Sequence, residues 1–150
     1  MRRSAMKTAI RFRDVNPGDE LPGFEKYIDQ AFIDKYAVAS LDLNPVHIDP
    51  DWAARAQVFG RPATVAHGMS TMSLMSAVVT RAWGATVPIM RMKSKFTKPV
   101  WVDQTVTLNG KVKEVHHLNP GRHYASVDVT AHDSEGDLVG FCEIQVRLAG

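Results

Sequence analysis

Asp42 and His47 stand five residues apart in the segment Asp42-Leu43-Asn44-Pro45-Val46-His47-Ile48-Asp49. Asn44 and Pro45 turn and stiffen the chain between them, so the carboxylate and the imidazole can come to one side. Together they could hold and deprotonate a water, since a histidine that titrates near neutrality beside a carboxylate suits general acid–base catalysis. The same spacing fits a plainer arrangement, in which Asp42 caps a turn and His47 bonds a backbone carbonyl. Spacing alone favours the plainer one, because short motifs recur by chance. A second constellation, Ala66-His67-Gly68-Met69, opens an apolar stretch. Free N–H groups and partial positive charge gather at a helix N-terminus. A glycine there lets a carbonyl oxygen approach the backbone, which makes an oxyanion site without a charged side chain. The alternative is a glycine that simply permits tight packing.

The elements that must position these residues follow from period and punctuation. From Gly68 to about Trp83 the sequence GMSTMSLMSAVVTRAW is apolar or small all round, with Arg81 its only charge. A helix without a polar face is enclosed by its fold, so this is the expected central helix. An earlier helix is expected over Gln30–Ala39, with Asp29 as its N-cap and Ala31, Phe32, Tyr36 and Ala39 on one face. Another starts at Asp49, with Pro50 at the first helical position and Trp52, Ala53 and Ala56 turned inward. Asn16-Pro17-Gly18-Asp19 and Leu21-Pro22-Gly23 read as turns, and a short strand is expected near Thr8–Phe12.

Beyond Pro88 the period becomes two: Arg91, Lys93 and Lys95 alternate with Met92, Ser94 and Phe96. Ala125, Val127, Val129 and Ala131 share one face, as do Cys142, Ile144, Val146 and Leu148. These are half-buried antiparallel strands, with turns at Leu118–Gly121 and Asp133–Gly136. Asn109-Gly110 is a hairpin signal, yet Asn119-Pro120-Gly121 follows so soon that one long bulged strand from Gln104 to His116 is preferred. Helices followed by an antiparallel meander give an α+β fold, a sheet wrapped around the buried helix. One sheet cannot fully enclose so apolar a helix, and a homodimer is therefore expected.

Composition narrows the function classes. The chain has 150 residues, 45% of them hydrophobic, and 18 basic against 16 acidic side chains. That is one domain over residues 1–150, with residues 1–14 a basic lead-in. Cys142 is the only cysteine, so no internal disulfide is possible. Neither a membrane-spanning run nor a signal-peptide pattern is visible, and no arginine-rich block points to nucleic acid. A soluble protein of the cytoplasm is expected.

Taken together, the two constellations resemble the MaoC-like dehydratases and (R)-specific enoyl-CoA hydratases, which have the hotdog fold. The likeness lies in Asp42…Asn44-Pro45…His47…Asp49 followed by His67-Gly68-Met69, and in the later Phe96-Thr97-Lys98-Pro99-Val100 and Val102–Val106. It spans roughly Ile28 to Leu148. The resemblance implies that Asp42 and His47 are the catalytic pair, adding water across a trans-2-enoyl-CoA thioester to give the (R)-3-hydroxyacyl product, or running the dehydration. It implies that Gly68 N–H meets the thioester carbonyl and that Asn44 orients the loop. Ser76 matches a serine near the site in single-hotdog members; a bond to the carbonyl four residues back is the equal alternative. No metal or redox cofactor is implied, with coenzyme A entering only as part of the substrate.

One departure stands out, because the family's usual glycine before the aspartate is Leu41 here. Were φ positive at that position, leucine would be strained. This departure keeps open a non-catalytic, thioester-binding subunit of a heteromeric complex. A hotdog thioesterase is the other alternative, and the lack of acidic residues on the central helix opposes it. Arg91, Lys93, Lys95 and Lys98 are candidates for coenzyme A phosphates, though a solvated strand face is preferred. Met69, Met72 and Met75 are read as core or as an acyl tunnel, and His67 as a residue that orders the start of the helix. His116, His117, His123 and His132 lack metal-ligand spacing.

Overall fold

Segments with period-two patterning pair into a single sheet in the computed structural model, which describes residues 9–150. A 3-10 turn at Phe12–Asp14 leads to strand β1 (Glu20–Ile28) and helices α1 (Gln30–Ser40), α2 (Pro45–Ile48), α3 (Pro50–Ala56) and α4 (Gly68–Trp83). Strands β2 (Ile89–Phe96), β3 (Gln104–His116), β4 (Tyr124–His132) and β5 (Leu138–Arg147) follow. All pairings are antiparallel, in the order β1-β3-β4-β5-β2. Helix α4 packs on β1, β3, β4 and β5, the expected sheet around a helix.

Helix α4 occupies the predicted span, and its Met75, Val78 and Val79 are fully buried. Burying side chains of this size contributes about 1.5–3 kcal/mol each. Gly110 explains why the Asn109-Gly110 pair does not turn: a Cβ there would lie 2.8 Å from Val78 Cγ1. The glycine serves helix-to-sheet approach inside one continuous β3, whose bulge falls between Val112 and Glu114. One face of α4 is left open, with Met69 and Ser73 exposed and Met72 and Ser76 half-buried. No helix among the described residues is long and apolar enough to cross a membrane.

Several expectations need correction. The stretch around Leu21-Pro22-Gly23 is not a turn but the start of β1, with a bulge between Leu21 and Phe24. Proline is tolerated because β1 is an edge strand, and a Cβ on Gly23 would collide with the Leu108 carbonyl oxygen. Of the strand expected near Thr8–Phe12, Thr8 lies outside the described residues, and Arg11 makes only an isolated bridge to Ala149. In α1 the buried residues are Ile33 and Ala37, whereas Ala31 and Ala39 are exposed. In α3 only Ala53 is buried, while Ala56 faces solvent.

Candidate active site

Asp29 caps α1 by accepting from Phe32 N–H at 2.7 Å, and the helix runs to Ser40. Leu41 then takes φ 60° and ψ 20°, the left-handed conformation that reverses the chain toward Asp42. A non-glycine residue there costs about 1–2 kcal/mol, and Leu41, 82% exposed, gains no packing in return. The departure from the family pattern is thus accommodated as strain. Asn44 caps α2 through its side-chain oxygen, which accepts from Val46 N–H at 3.1 Å. Its own N–H donates to Asp42 Oδ1 at 3.3 Å, so Asn44 shapes the loop.

His47 is fixed from two sides. Its Nδ1–H donates to the Val65 carbonyl at 2.7 Å, and its own carbonyl accepts from Gln30 Nε2 at 2.8 Å. Thr64 Oγ1 in turn donates to Gln30 Oε1 at 2.6 Å. With the proton on Nδ1, His47 presents a lone pair at Nε2, 3.8 Å from Asp42 Oδ2. That separation is too long for a direct hydrogen bond, and both atoms are acceptors. Burial, ahead of every other influence, lowers the His47 pKa below its ordinary 6.5, with the neighbouring His67 acting the same way. The Val65 and Asp42 contacts act in the opposite sense. Burial thus favours the neutral form of the imidazole.

His67 was assigned in the sequence only to ordering the helix start, and it proves to be the third member of this cluster. It is 3% exposed, its ring stacks on His47 at 3.8 Å between centroids, and its Nε2–H donates to the Asp42 carbonyl at 3.0 Å. One oxygen and two ring nitrogens of Asp42, His47 and His67 lie within 4.8 Å of one another. The two carbonyls nevertheless decide where the imidazole protons sit, leaving His47 Nε2 as the one lone-pair nitrogen turned toward Asp42.

Gly68 opens α4 beside this cluster, where the first N–H groups have no partner within the helix. A Cβ on Gly68 would meet the Phe96 ring at 3.6 Å, an ordinary contact. The two bound a cavity of about 400 Å³ that reaches from His47 past Phe59, Val100 and Val139. Phe59 was not singled out in the sequence. Its ring stands edge-on to Trp101, which Arg61 covers at 5.1 Å.

Other candidates are otherwise engaged, although Lys98 also borders this cavity. Ser76 lies eight residues beyond Gly68, about 12 Å along the helix, and its hydroxyl donates to the Ser73 carbonyl at 2.7 Å rather than reaching the cavity. Met75 packs in the core against Gly140 and Met69 is exposed, so the methionines do not line the cavity. Lys98 is not a free cation: Asp133, Glu135 and Asp137 lie 2.8, 2.5 and 2.7 Å from its Nζ, and these contacts raise its pKa. Arg91, Lys93 and Lys95 are exposed along edge strand β2. His123 is buried in the β3–β4 connection and accepts from Leu118 N–H at 2.9 Å.

The family model described as MaoC like domain matches residues 11–134. An (R)-specific enoyl-CoA hydratase of Rhodospirillum rubrum is 34% identical over 97 residues, which are 64% of this chain and 65% of the hydratase. The chain therefore spans a little under two thirds of that relative's length. An (R)-hydratase from A. caviae involved in PHA biosynthesis superposes with a TM-score of 0.80 at 26% identity, covering 91% of this chain and 98% of that one. The ChsH1–ChsH2 complex from Mycobacterium tuberculosis shares the fold, with a TM-score of 0.75 at 24% identity over 89% of this chain and 98% of that one.

Proposed function

The chain belongs to the MaoC-like dehydratase family, and on that premise we propose that it hydrates trans-2-enoyl-CoA thioesters reversibly to (R)-3-hydroxyacyl-CoA. The observation that carries the reading is the pair of acceptors, His47 Nε2 and Asp42 Oδ2, set 3.8 Å apart beside the start of α4. A water between them is oriented with its oxygen free to attack C3 of the substrate. Its oxygen and one hydrogen become the C3 hydroxyl. The other proton passes to the Asp42/His47 pair and from the pair to C2, so that no proton is gained or lost overall.

Negative charge develops on the thioester oxygen as C3 is attacked. Gly68 N–H, at the positive end of the α4 dipole, stabilises it. A fixed donor aimed at developing charge is worth about 10²–10³ in rate. The cavity lined by Phe59, Phe96 and Val139 offers an apolar surface for the acyl chain beside the reacting carbons. The reaction calls for no metal or redox cofactor; coenzyme A enters as part of the substrate. A second copy of the chain is the expected cover for the open face of α4, where Met69 and Ser73 are exposed. The single cysteine, buried and unpaired, is in keeping with the cytoplasm.

Hydration of crotonyl-CoA, followed by loss of the enoyl absorbance with chiral analysis of the product, tests the reading. Turnover to the (R)-3-hydroxy product is expected. Inactivity toward short, medium and branched enoyl-CoA esters would overturn it and bring forward the non-catalytic subunit.

A further inference from the structure

Asp42 projects from a loop with little to hold it. The side chain is 52% exposed and the preceding residue is strained. Within the loop, Asp42 N–H reaches Ser40 Oγ at 3.4 Å and Asn44 N–H reaches Asp42 Oδ1 at 3.3 Å. Both distances are longer than a good hydrogen bond. The shortest bond that Asp42 makes comes from 25 residues away, the 3.0 Å contact from His67 Nε2–H to its carbonyl oxygen.

His67 gives up a local role to make that bond. It occupies the N-cap position of α4, where Ser, Thr, Asp or Asn would satisfy a free helix N–H, yet its side chain makes no cap hydrogen bond. Its Nδ1 is buried without a partner. Helix stability alone does not account for an imidazole in that place. The ring is held between Tyr36, at 4.8 Å, and His47, at 3.8 Å and 25° from coplanar. Its carbonyl is fixed in turn by the Ser70 hydroxyl at 2.6 Å.

We propose that His67 is a positioning residue of the hydration site. Its N–H anchors the Asp42 backbone to the start of α4 while its ring backs the His47 imidazole, so that the two acceptors stay one water apart. One rigid side chain thereby ties three parts of the site together: the Asp42 loop, the His47 turn and the helix end that carries Gly68. The inference rests on the hydration reading, and its test separates the two.

Two variants divide the roles of the ring. His67→Phe keeps an aromatic surface against His47 and removes the N–H donor, whereas His67→Gln keeps a donor within reach of the Asp42 carbonyl and removes the stack. A displacement of the order of 1 Å at a reacting group can cost about 10²-fold. With crotonyl-CoA, His67→Phe is expected to lower kcat by roughly that factor with KM nearly unchanged, and His67→Gln to recover a large part of the loss. Wild-type kcat in both folded variants would overturn the proposal. So would a kcat that falls in step with thermal stability in both, without rescue by Gln.

A measurement independent of turnover covers the case in which the chain does not hydrate enoyl-CoA at all. In amide and imidazole NMR spectra, His67→Phe is expected to shift or broaden Leu41–Asn44 and the His47 ring, and His67→Gln to leave the loop amides closer to wild type. Unmoved loop and ring signals in His67→Phe would sink the positioning role whatever the reaction. Should His67→Phe not fold, His67→Gln alone decides: His47 ring signals and kcat both identical to wild type would refute the role of the stack.

Discussion

At the turn joining β4 to β5, Lys98 lies 2.8, 2.5 and 2.7 Å from Asp133, Glu135 and Asp137. Arg61 adds a contact to Glu135 at 3.2 Å, and Asp133 Oδ1 accepts the backbone N–H of Glu135 and of Asp137. Gly136 takes the positive φ of 82°. Every charge in that turn has a partner of opposite sign, and a glycine stands where the backbone needs one. The turn after α1 also gathers an acid and bases from distant parts of the chain, but on other terms. Asp42 Oδ2 and His47 Nε2 stay 3.8 Å apart, leucine stands in the left-handed position, and neither acceptor closes on the other. Contacts that close on themselves make structure. Groups held near one another and left open make a site.

Breaking the closed cluster should cost stability and spare the site. Asp133→Asn leaves Lys98 with two partners and replaces a buried carboxylate that accepts two backbone N–H groups. We expect a loss of about 1–3 kcal/mol in chemical denaturation, with the hydration rate within threefold of wild type.

The smaller effects sharpen the contrast. Leu41→Gly removes the left-handed strain but adds backbone entropy to the unfolded chain. A net gain of about 0.5–1 kcal/mol is expected in the same denaturation experiment, and a loss of stability would show that Leu41 is not strained. Acid acts differently on the two clusters. Burial pushes the Asp133 carboxyl up, but the Lys98 ammonium and the two backbone N–H groups outweigh it and hold the group below its ordinary 3.8. A depressed carboxyl contributes stability that is present above the unfolded value and lost as pH falls through the folded one. The thermal midpoint should therefore drop more steeply below about pH 4 in wild type than in Asp133→Asn. At His47 the sense concerns rate: protonation removes the acceptor, and its pKa lies below 6.5. The acid limb of kcat/KM should accordingly fall below pH 6.5, and a limb above that value would contradict the burial argument.

What the sequence disclosed follows the range of the physical signal. Helix α4 was legible because sixteen residues without a polar face have one stable location. Strand β3 was legible through Asn109-Gly110 because a stronger turn follows close behind. Strand β1 was missed because Pro22 and Gly23 are turn residues in isolation; only pairing at a sheet edge makes them a bulge. The inward faces of α1 and α3 were misjudged in part, since neither short helix has a wide apolar stripe to orient it. Around the candidate site, the motif that carries Asp42, His47 and Gly68 is local and visible in the sequence. His67 was undervalued because its bond to Asp42 and its stack on His47 belong to tertiary structure. A non-capping residue at an N-cap was the one local hint.

The most direct test of the central claim sets Asp42→Asn and His47→Ala beside Asp133→Asn, with kcat/KM on crotonyl-CoA and unfolding free energy measured for each. Removal of a general acid–base group lowers the rate by about 10²–10⁴. The account predicts that loss for the two site variants with folding intact, and for Asp133→Asn a loss of stability without loss of rate. Folded Asp42→Asn and His47→Ala proteins that hydrate crotonyl-CoA within tenfold of wild type would contradict it.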